Sequence, residues 1–334
     1  MKWTFLPLLL ALGMLSMMPL AKSFAAGSPV NYILDTDLAS DCDDAGAIAM
    51  ANAMMKAGEV NILAMMISTG GDTCAPALCA INTWYGHGDI PIGTLKQPDF
   101  WTGGEFGQTS GVQNYVSYTP YLAREFPAHL HSGQEAPDAT ALYREILAEQ
   151  PNGSVVINTI GPLINLAKLL ASPGGPALVK AKVKLLVVAG GKNPAGTSSN
   201  FSKGDAKKYA KGVIEQWPTP IVFVGNEVGG SVLTGWPAAE PSKQENPARA
   251  AYRLFHAGDS GKKRPSWDHA AVLYAIRGEG ALFDLVKNGY QSCSEDGNNL
   301  WVTGQGLEKG HAYLRKVADD AVLQAVFEDL MTRE

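Results

Sequence analysis

Apolar runs and helical patterns alternate along most of the chain. Five runs rich in β-branched and aliphatic residues have the length of buried strands: Asn31 to Leu34, Val60 to Ser68, Ser154 to Ile160, Lys182 to Val188 and Pro220 to Val224. Five stretches have helical spacing, most of them opened or preceded by Asp, Asn or Pro: Asp44 to Ala57, Asp138 to Glu149, Leu163 to Leu170, Asp205 to Gln216 and His269 to Ile276. This alternation predicts an α/β protein with a doubly wound, Rossmann-like, mostly parallel sheet flanked by helices.

The C-terminal part follows a different pattern. Tyr290 to Val302 flanks an Asp296-Gly297 turn, which predicts a β-hairpin. A short strand over Ala312 to Val317 and a last helix over Asp319 to Met331 complete the prediction. No linker interrupts the alternation, so we expect one domain over residues 26–334. The segment from Lys96 to Pro127, rich in Gly and aromatic residues, is either a lid over a substrate or an ordinary surface loop.

The first 25 residues have the pattern of a secretory signal. Lys2 precedes an apolar stretch, and small residues before Ala25 suit cleavage there. A membrane anchor is the alternative, but Pro7, Gly13 and Pro19 interrupt the stretch. Removing residues 1–25 deletes two of the 27 Lys and Arg residues and none of the 32 acids, so the net charge becomes 25 − 32 = −7. We therefore expect a periplasmic or secreted protein that binds neither nucleic acid nor, after cleavage, a membrane.

Composition limits both the class of protein and the number of disulfides that the chain can form. Hydrophobic residues make up 46% of the chain and charged residues 18%, which suits a large buried core and excludes a disordered chain. The four cysteines are too few for a disulfide scaffold in a chain of this length. Cys74 and Cys79 either pair or are buried free thiols, because spacing alone does not decide connectivity.

Acidic residues are concentrated after the first predicted strand. Asp35, Asp37, Asp41, Asp43 and Asp44 fall within ten positions between that strand and the next helix. A cation would relieve their mutual repulsion, and an all-oxygen site favours Ca²⁺ or Mg²⁺. Ligands of open parallel sheets bind beyond the carboxyl ends of the strands, where this loop is expected. The alternative is that Asp43 or Asp44 caps the helix and the others are solvated.

Known local motifs do not account for this loop. An EF-hand that starts at Asp35 would place Ala39 and Ser40 where a ligand and the turn glycine belong, and one that starts at Asp41 would end on Asn52 instead of Glu. The chain has no GxSxG, GxGxxG, Walker A or HExxH motif. The acidic loop is therefore the strongest chemical signal in the sequence.

The pattern DTDxxxDxDDAxA resembles the first motif of the calcium-dependent nucleoside hydrolases of the inosine- and uridine-preferring type, which cleave the bond between ribose and a base. Residues 154–170 (SVVINTIGPLINLAKLL) and 205–235 are similar to later blocks of the family. AINTWYGHGDIPIG and SWDHAAVLYAI follow the pattern of its exported branch. The resemblance spans most of the chain after residue 25 and also allows for homo-oligomers.

The resemblance implies a set of site residues. Asp37, Asp44, Asp268 and the backbone carbonyl of Ile160 would bind Ca²⁺, and Asp37 would also act as the base. Asp43 would bind a ribose hydroxyl, although Asp41 is the alternative because this loop is two residues longer than in the shortest family members. Asn200 would bind the sugar, and Asp268 would also lie against the substrate.

Two positions depart from the family. Trp267 stands where the family has a catalytic His, and Ser198 replaces a sugar-binding Glu. A tryptophan can stack on a base but cannot protonate it. His269 is expected to be structural, whereas His129 and His131 belong to a variable segment that could reach the site. Two alternatives therefore stay open, namely a hydrolase of another sugar derivative and a non-catalytic, exported sugar-binding protein.

Overall fold

A computed structural model of the chain describes residues 28–39, 41–97, 100, 117–236, 245–256, 258 and 261–333. The predicted signal and residues 101–116 of the proposed lid segment lie outside these residues. In its described part that segment contains one helix, Thr119–Glu125. Among the described residues, no helix is both long and apolar enough to span a membrane.

Thirteen strands are present among the described residues: β1 (Val30–Thr36), β2 (Val60–Ile67), β3 (Ile92–Thr94), β4 (Val155–Thr159), β5 (Val183–Ala189), β6 (Ala195–Gly196), β7 (Ile221–Val224), β8 (Leu233–Thr234), β9 (Arg264–Pro265), β10 (Phe283–Val286), β11 (Gly289–Cys293), β12 (Asn299–Thr303) and β13 (His311–Lys316). The helices are α1 (Asp43–Lys56), α2 (Cys74–Trp84), α3 (Thr119–Glu125), α4 (Ala139–Glu149), α5 (Ile164–Ala171), α6 (Gly175–Lys182), α7 (Ser199–Ser202), α8 (Lys207–Gln216), α9 (Asn226–Gly229), α10 (Pro247–Phe255), α11 (Trp267–Arg277) and α12 (Asp320–Met331). Two 3₁₀ turns cover Gly204–Ala206 and Leu307–Lys309.

Eight strands form the main sheet, in the order β10-β13-β7-β5-β4-β1-β2-β3. Every neighbouring pair is parallel except β10 with β13. From β1 the chain moves outward through β2 and β3, and then returns to β4 on the other side of β1. The strand order therefore reverses between β1 and β4, and this is the position at which open α/β sheets bind ligands.

Helices cover both faces of this sheet, as the alternation predicts. In β1, Tyr32 and Leu34 belong to a core layer that also contains buried residues of α1, α2, α10, α11 and α12. Ile33 belongs to the opposite layer, with buried residues of α4, α5, α6 and α8. Because successive residues of a strand face opposite sides, a strand buried on both faces is apolar almost throughout.

The doubly wound fold is confirmed, and so is the hairpin, as β11 and β12. The hairpin does not extend the main sheet but forms a separate three-stranded sheet with β6, whereas β13 enters the main sheet beside β7. Helix α11 begins at Trp267, two residues before the predicted start, and α1 begins at Asp43. The sequence pattern missed β3 and β10, which are only three and four residues long.

Candidate metal centre and substrate site

The acidic loop lies between the end of β1 and the start of α1. The Thr36 hydroxyl donates a hydrogen bond to the carboxylate of Asp44 and accepts one from the amide of Leu38 at 3.2 Å. From the other side, the hydroxyl of Tyr118 contacts the backbone of Ala39 and Asp41. These contacts place the loop at the carboxyl end of β1, beside the point where the strand order reverses.

Most of the acidic side chains are buried. Asp37, Asp43, Asp44 and Asp268 are between 0% and 6% exposed. The residue before α1 is Cys42, and no side chain caps this helix end. The alternative of capping and solvated loop charges therefore does not hold for these carboxylates.

Asp35 faces the side of β1 opposite to that of Thr36, the residue that contacts Asp44. Its carboxylate accepts hydrogen bonds from the Tyr143 hydroxyl at 2.9 Å and from the Asn165 amide at 3.2 Å, on the layer formed by α4 and α5. Burial raises the pKa of Asp35 to about 7, although these hydrogen bonds oppose the shift. Asp35 thus ties the end of β1 to two helices on the face opposite α1.

Three carboxylates are close enough to share one cation. Each of Asp41, Asp43 and Asp268 offers an oxygen within 4.8 Å of the other two. The Asp268 amide donates to Oδ2 of Asp43 at 3.4 Å, while the buried Oδ1 of Asp43 has no hydrogen-bond partner among the described residues. Burial, followed by the neighbouring carboxylates, raises the pKa of Asp43 and of Asp268 well above the ordinary value. An all-oxygen group with an unpartnered buried oxygen suits a hard divalent cation.

Arg264, in β9, borders this group. Its Nη2 donates to Oδ2 of Asp41 at 2.7 Å. Burial opposes ionisation of Asp41, but the charge of Arg264 and the hydrogen bonds from Arg264 and Asp43 together outweigh it and lower the pKa of Asp41. Asp41 is therefore held in its charged form by a cationic partner.

The predicted site residues Ile160 and Asn200 lie at the carboxyl ends of β4 and β5. The backbone carbonyl of Ile160 accepts a hydrogen bond from the amide of Asn200 at 2.9 Å, and the same amide donates to Ala189 at 2.9 Å. A Cβ on Gly161 would lie 2.9 Å from the backbone nitrogen of Asp37. Ile160 and Asn200 are therefore adjacent, and the chain after β4 packs closely against Asp37.

Trp267 and His269, the residues that the sequence places beside the leaving base, both lie in the first turn of α11. Trp267 opens α11, and its buried Nε1 has no partner among the described residues. His269 is completely buried, and neither ring nitrogen has a hydrogen-bond partner in the described part of the chain. Its ring contacts that of Phe327 at a centroid distance of 5.6 Å, and burial lowers its pKa to about 3. The interpretation of His269 as a structural residue agrees with this packing.

The remaining histidines and cysteines have described contacts elsewhere. Nδ1 of the exposed His129 lies 3.2 Å from Sγ of Cys79, and the His131 amide donates to Glu135. Cys74 contacts the hydroxyl of Thr69. All four cysteines are buried free thiols, so the alternative of a disulfide between Cys74 and Cys79 is wrong.

Three further residues belong to this region but were not predicted from the sequence. Arg264 and Tyr118 contact Asp41 from positions far along the chain. Asn193 follows β5, is 8% exposed, and has neither side-chain amide atom paired among the described residues. A buried, unpartnered amide near the carboxyl edge of the sheet is a candidate to bind a sugar hydroxyl. No local sequence signal distinguishes Asn193 from an ordinary loop asparagine.

Neither a protein-family model nor a curated protein sequence matches this chain. Solved structures do. A plant nucleoside hydrolase, PpNRh1, aligns with a TM-score of 0.62 at 19% identity over 92% of this chain and 100% of that chain. An inosine-guanosine nucleoside hydrolase aligns with a TM-score of 0.63 at 20% identity over 90% of this chain and 98% of that one. This chain has the nucleoside hydrolase fold.

A type III effector also aligns with this chain. The type III effector XopQ, solved with adenosine diphosphate ribose, aligns with a TM-score of 0.61 at 14% identity over 91% of this chain and 95% of that chain. The resemblance read from the sequence is thus confirmed at the level of the fold. In this fold the acidic loop and the start of α11 meet at the reversal point of the sheet.

Proposed function

We propose that this protein is an exported, Ca²⁺-dependent hydrolase that cleaves the N-glycosidic bond of ribonucleosides. The observation that carries the proposal is the group of Asp41 with the buried Asp43 and Asp268, in which Oδ1 of Asp43 has no hydrogen-bond partner among the described residues. This group lies at the reversal point of a sheet with the nucleoside hydrolase fold. The signal in residues 1–25 and the single domain over residues 26–334 are part of the proposal.

The proposed cation ligands are Asp37, Asp44, Asp268 and the carbonyl of Ile160. When bound, Ca²⁺ would supply a polarised water and an anchor for sugar hydroxyls. Asp37 removes a proton from the attacking water, and its 3% exposure keeps bulk solvent away from that carboxylate. The buried carboxylates around it stabilise the positive charge that develops on the sugar as the bond breaks.

The other residues bind the substrate. Asp43 and Asn200 hold sugar hydroxyls, and Asn193 offers a buried side-chain amide that has no partner among the described residues. Trp267 stacks against the leaving base. Its indole cannot protonate that base. His269 is not assigned as the acid, because its ring is buried against Phe327.

A second candidate keeps the fold and the cation but changes the substrate to another sugar derivative. Two observations favour it. The Ser198 hydroxyl, which replaces a sugar-binding Glu of the family, accepts a hydrogen bond from the Gly191 amide at 2.7 Å. The guanidinium carbon of Arg264 lies 5.1 Å from the ring centre of Trp267, so the side proposed for the leaving group is both aromatic and cationic. A non-catalytic sugar-binding protein is the third candidate, and the retained Asp37 weighs against it.

The test is a panel of purine and pyrimidine nucleosides together with other ribosides and glycosides, assayed with and without a chelator. We expect release of free base from at least one nucleoside, loss of release with chelator, and recovery with added Ca²⁺. Release only from another glycoside would support the second candidate. Binding of a sugar with no turnover of any compound would support the third.

A further inference from the structure

Arg264 is fixed beside the acidic group. Its side chain is 16% exposed, and its Nη2 forms an ion pair with Asp41 at 2.7 Å. The guanidinium carbon lies 5.0 Å from the ring centre of Phe255 and 5.1 Å from that of Trp267. A guanidinium between two aromatic faces is held by stacking as well as by charge. Arg264 is therefore built into the site and is not a mobile surface side chain.

Asp41 is held from two directions. Its carboxylate is paired with Arg264, and its backbone carbonyl accepts a hydrogen bond from the Tyr118 hydroxyl at 2.6 Å. One of its oxygens still lies within 4.8 Å of oxygens of Asp43 and Asp268. The charge of Arg264 thus acts on a carboxylate group that includes Asp268, one of the proposed cation ligands.

We infer that Arg264 is an internal counter-ion that sets the cation affinity of the acidic group. The inference rests on the proposed metal site and states how that site is regulated. In the metal-free protein, Arg264 lowers the repulsion among the acids and keeps them together. When a divalent cation binds, the same guanidinium repels it and engages Asp41, so the affinity is lower than that of the acids alone. The aromatic rings prevent Arg264 from moving away to avoid this repulsion.

The test compares Ca²⁺ binding to purified wild-type protein and to Arg264→Met, Arg264→Lys and Arg277→Met by isothermal titration calorimetry. Arg277 is a matched control, because it forms a partly buried, bidentate pair with Glu59 at the other end of α11. At an effective dielectric constant of about 20, a unit charge still acts on a divalent ion by several times RT at ~10 Å. We therefore expect Arg264→Met to lower the Kd for Ca²⁺ by about tenfold or more.

Two further results are expected. Arg264→Lys loses the stacking but keeps the charge, and Arg277→Met leaves the site intact, so both keep the wild-type Kd within about threefold. Metal-free Arg264→Met melts at a lower temperature than the metal-free wild type. Added Ca²⁺ raises the melting temperature of the variant by more than it raises that of the wild type. Measuring melting without metal separates a loss of stability from a change in affinity.

The outcomes separate the two proposals. If the wild type binds Ca²⁺ and Arg264→Met binds it no more tightly, the role of Arg264 is overturned and the metal site stands. If only Arg264→Met binds Ca²⁺, the role of Arg264 is supported and the Ca²⁺ dependence of the natural protein is overturned. If neither binds Ca²⁺, both are overturned.

Discussion

The hydroxyl of Tyr118 donates a hydrogen bond to the backbone carbonyl of Asp41 at 2.6 Å. The same hydroxyl accepts one from the amide of Ala39 at 2.9 Å. Ala39 has a φ of 113°, a backbone conformation that costs energy for a residue with a side chain. One phenol thus holds a strained loop from a helix that begins about 80 positions later.

Replacing Tyr118 with Phe removes this clamp and keeps the ring. We expect the free energy of unfolding to fall by about 1–3 kcal/mol, because the backbone of Ala39 and that of Asp41 each lose a hydrogen bond. The Kd for Ca²⁺ should rise several-fold, since Asp41 and its neighbours become less ordered. Urea denaturation and calorimetry measure both effects. Tyr121→Phe, in the helix that directly follows Tyr118, is the control, and an equal loss in that variant would contradict the role of Tyr118.

Asp37→Asn should abolish turnover and spare much of the ligand binding. The amide cannot take a proton, and general base catalysis contributes about 10²–10⁴ in rate. Steady-state assays and direct binding of a substrate analogue separate the two effects. Asp284→Asn serves as the control, because Asp284 forms an ion pair with Arg315 on β13. A variant at position 37 that keeps a tenth of the wild-type rate would rule out Asp37 as the base.

Asp44→Asn and Asp41→Asn distinguish two sets of cation ligands. If Asp44 binds the cation as proposed, its replacement should weaken Ca²⁺ binding by about 100-fold, whereas the change at Asp41 should weaken it by less than about tenfold. The reverse order would favour a site made of Asp41, Asp43 and Asp268, the carboxylates that lie within 4.8 Å of one another. Calorimetry at constant pH reports both affinities.

His269→Leu should change how stability depends on pH. The pKa of His269 falls from 6.5 to about 3 on burial, so between these values the unfolded chain binds a proton that the folded chain does not. Stability from this group is complete above about pH 6.5 and is lost as the pH falls towards 3. The slope of unfolding free energy against pH should therefore be smaller in the variant by about 1.4 kcal/mol per pH unit. Urea unfolding at several pH values tests this, and equal slopes would contradict it.

The His269→Leu variant also tests whether His269 is the general acid that protonates the leaving base. Because His269 packs against Phe327 and has no hydrogen-bond partner among the described residues, His269→Leu should retain turnover. A loss of about 100-fold or more in a folded His269→Leu protein would instead assign the acid to His269.

Gly161→Ala should disturb Asp37 without touching its chemistry. A Cβ at this position would lie 2.5 Å from Oγ of Ser68 and 2.9 Å from the backbone nitrogen of Asp37, so one strand end must shift. We expect a loss of about 1–3 kcal/mol in unfolding free energy and at least about tenfold in turnover. Gly212→Ala, in α8, is the control, since its Cβ would meet only Gln216 at 3.8 Å. Equal behaviour of the two variants would contradict the close packing at Gly161.

Much of the fold could be predicted from local pattern. The strands that are buried on both faces read as apolar runs, and β1, β2, β4, β5 and β7 agree with the predicted segments to within two residues at each end. Helix α2 was missed because it is apolar almost throughout and has no polar face. Helix α10 was missed although Asn246 caps it and Pro247 opens it, so its start signal was present in the sequence.

The site was predictable only in part. The acidic loop is local, so its concentration of charge could be read directly from the sequence. The ion pair of Arg264 with Asp41 joins residues 223 positions apart, and the clamp from Tyr118 spans 77. Contacts of this kind depend on how helices pack across the sheet, which no local pattern encodes. Burial of the acids likewise became known only with the fold.

The separate three-stranded sheet has a consequence for the order in which the protein matures. Strand β6, between Asn193 and Asn200, pairs with β12, and the Asn299 side chain both accepts from and donates to the backbone of Lys192 at 2.9 Å. The loop that carries the proposed sugar-binding amides is therefore completed only by residues about 100 positions nearer the C-terminus. A nascent chain whose last third has not yet emerged from the ribosome cannot assemble this loop. The protein should thus stay inactive throughout synthesis and gain its binding surface only after the whole chain is free to fold.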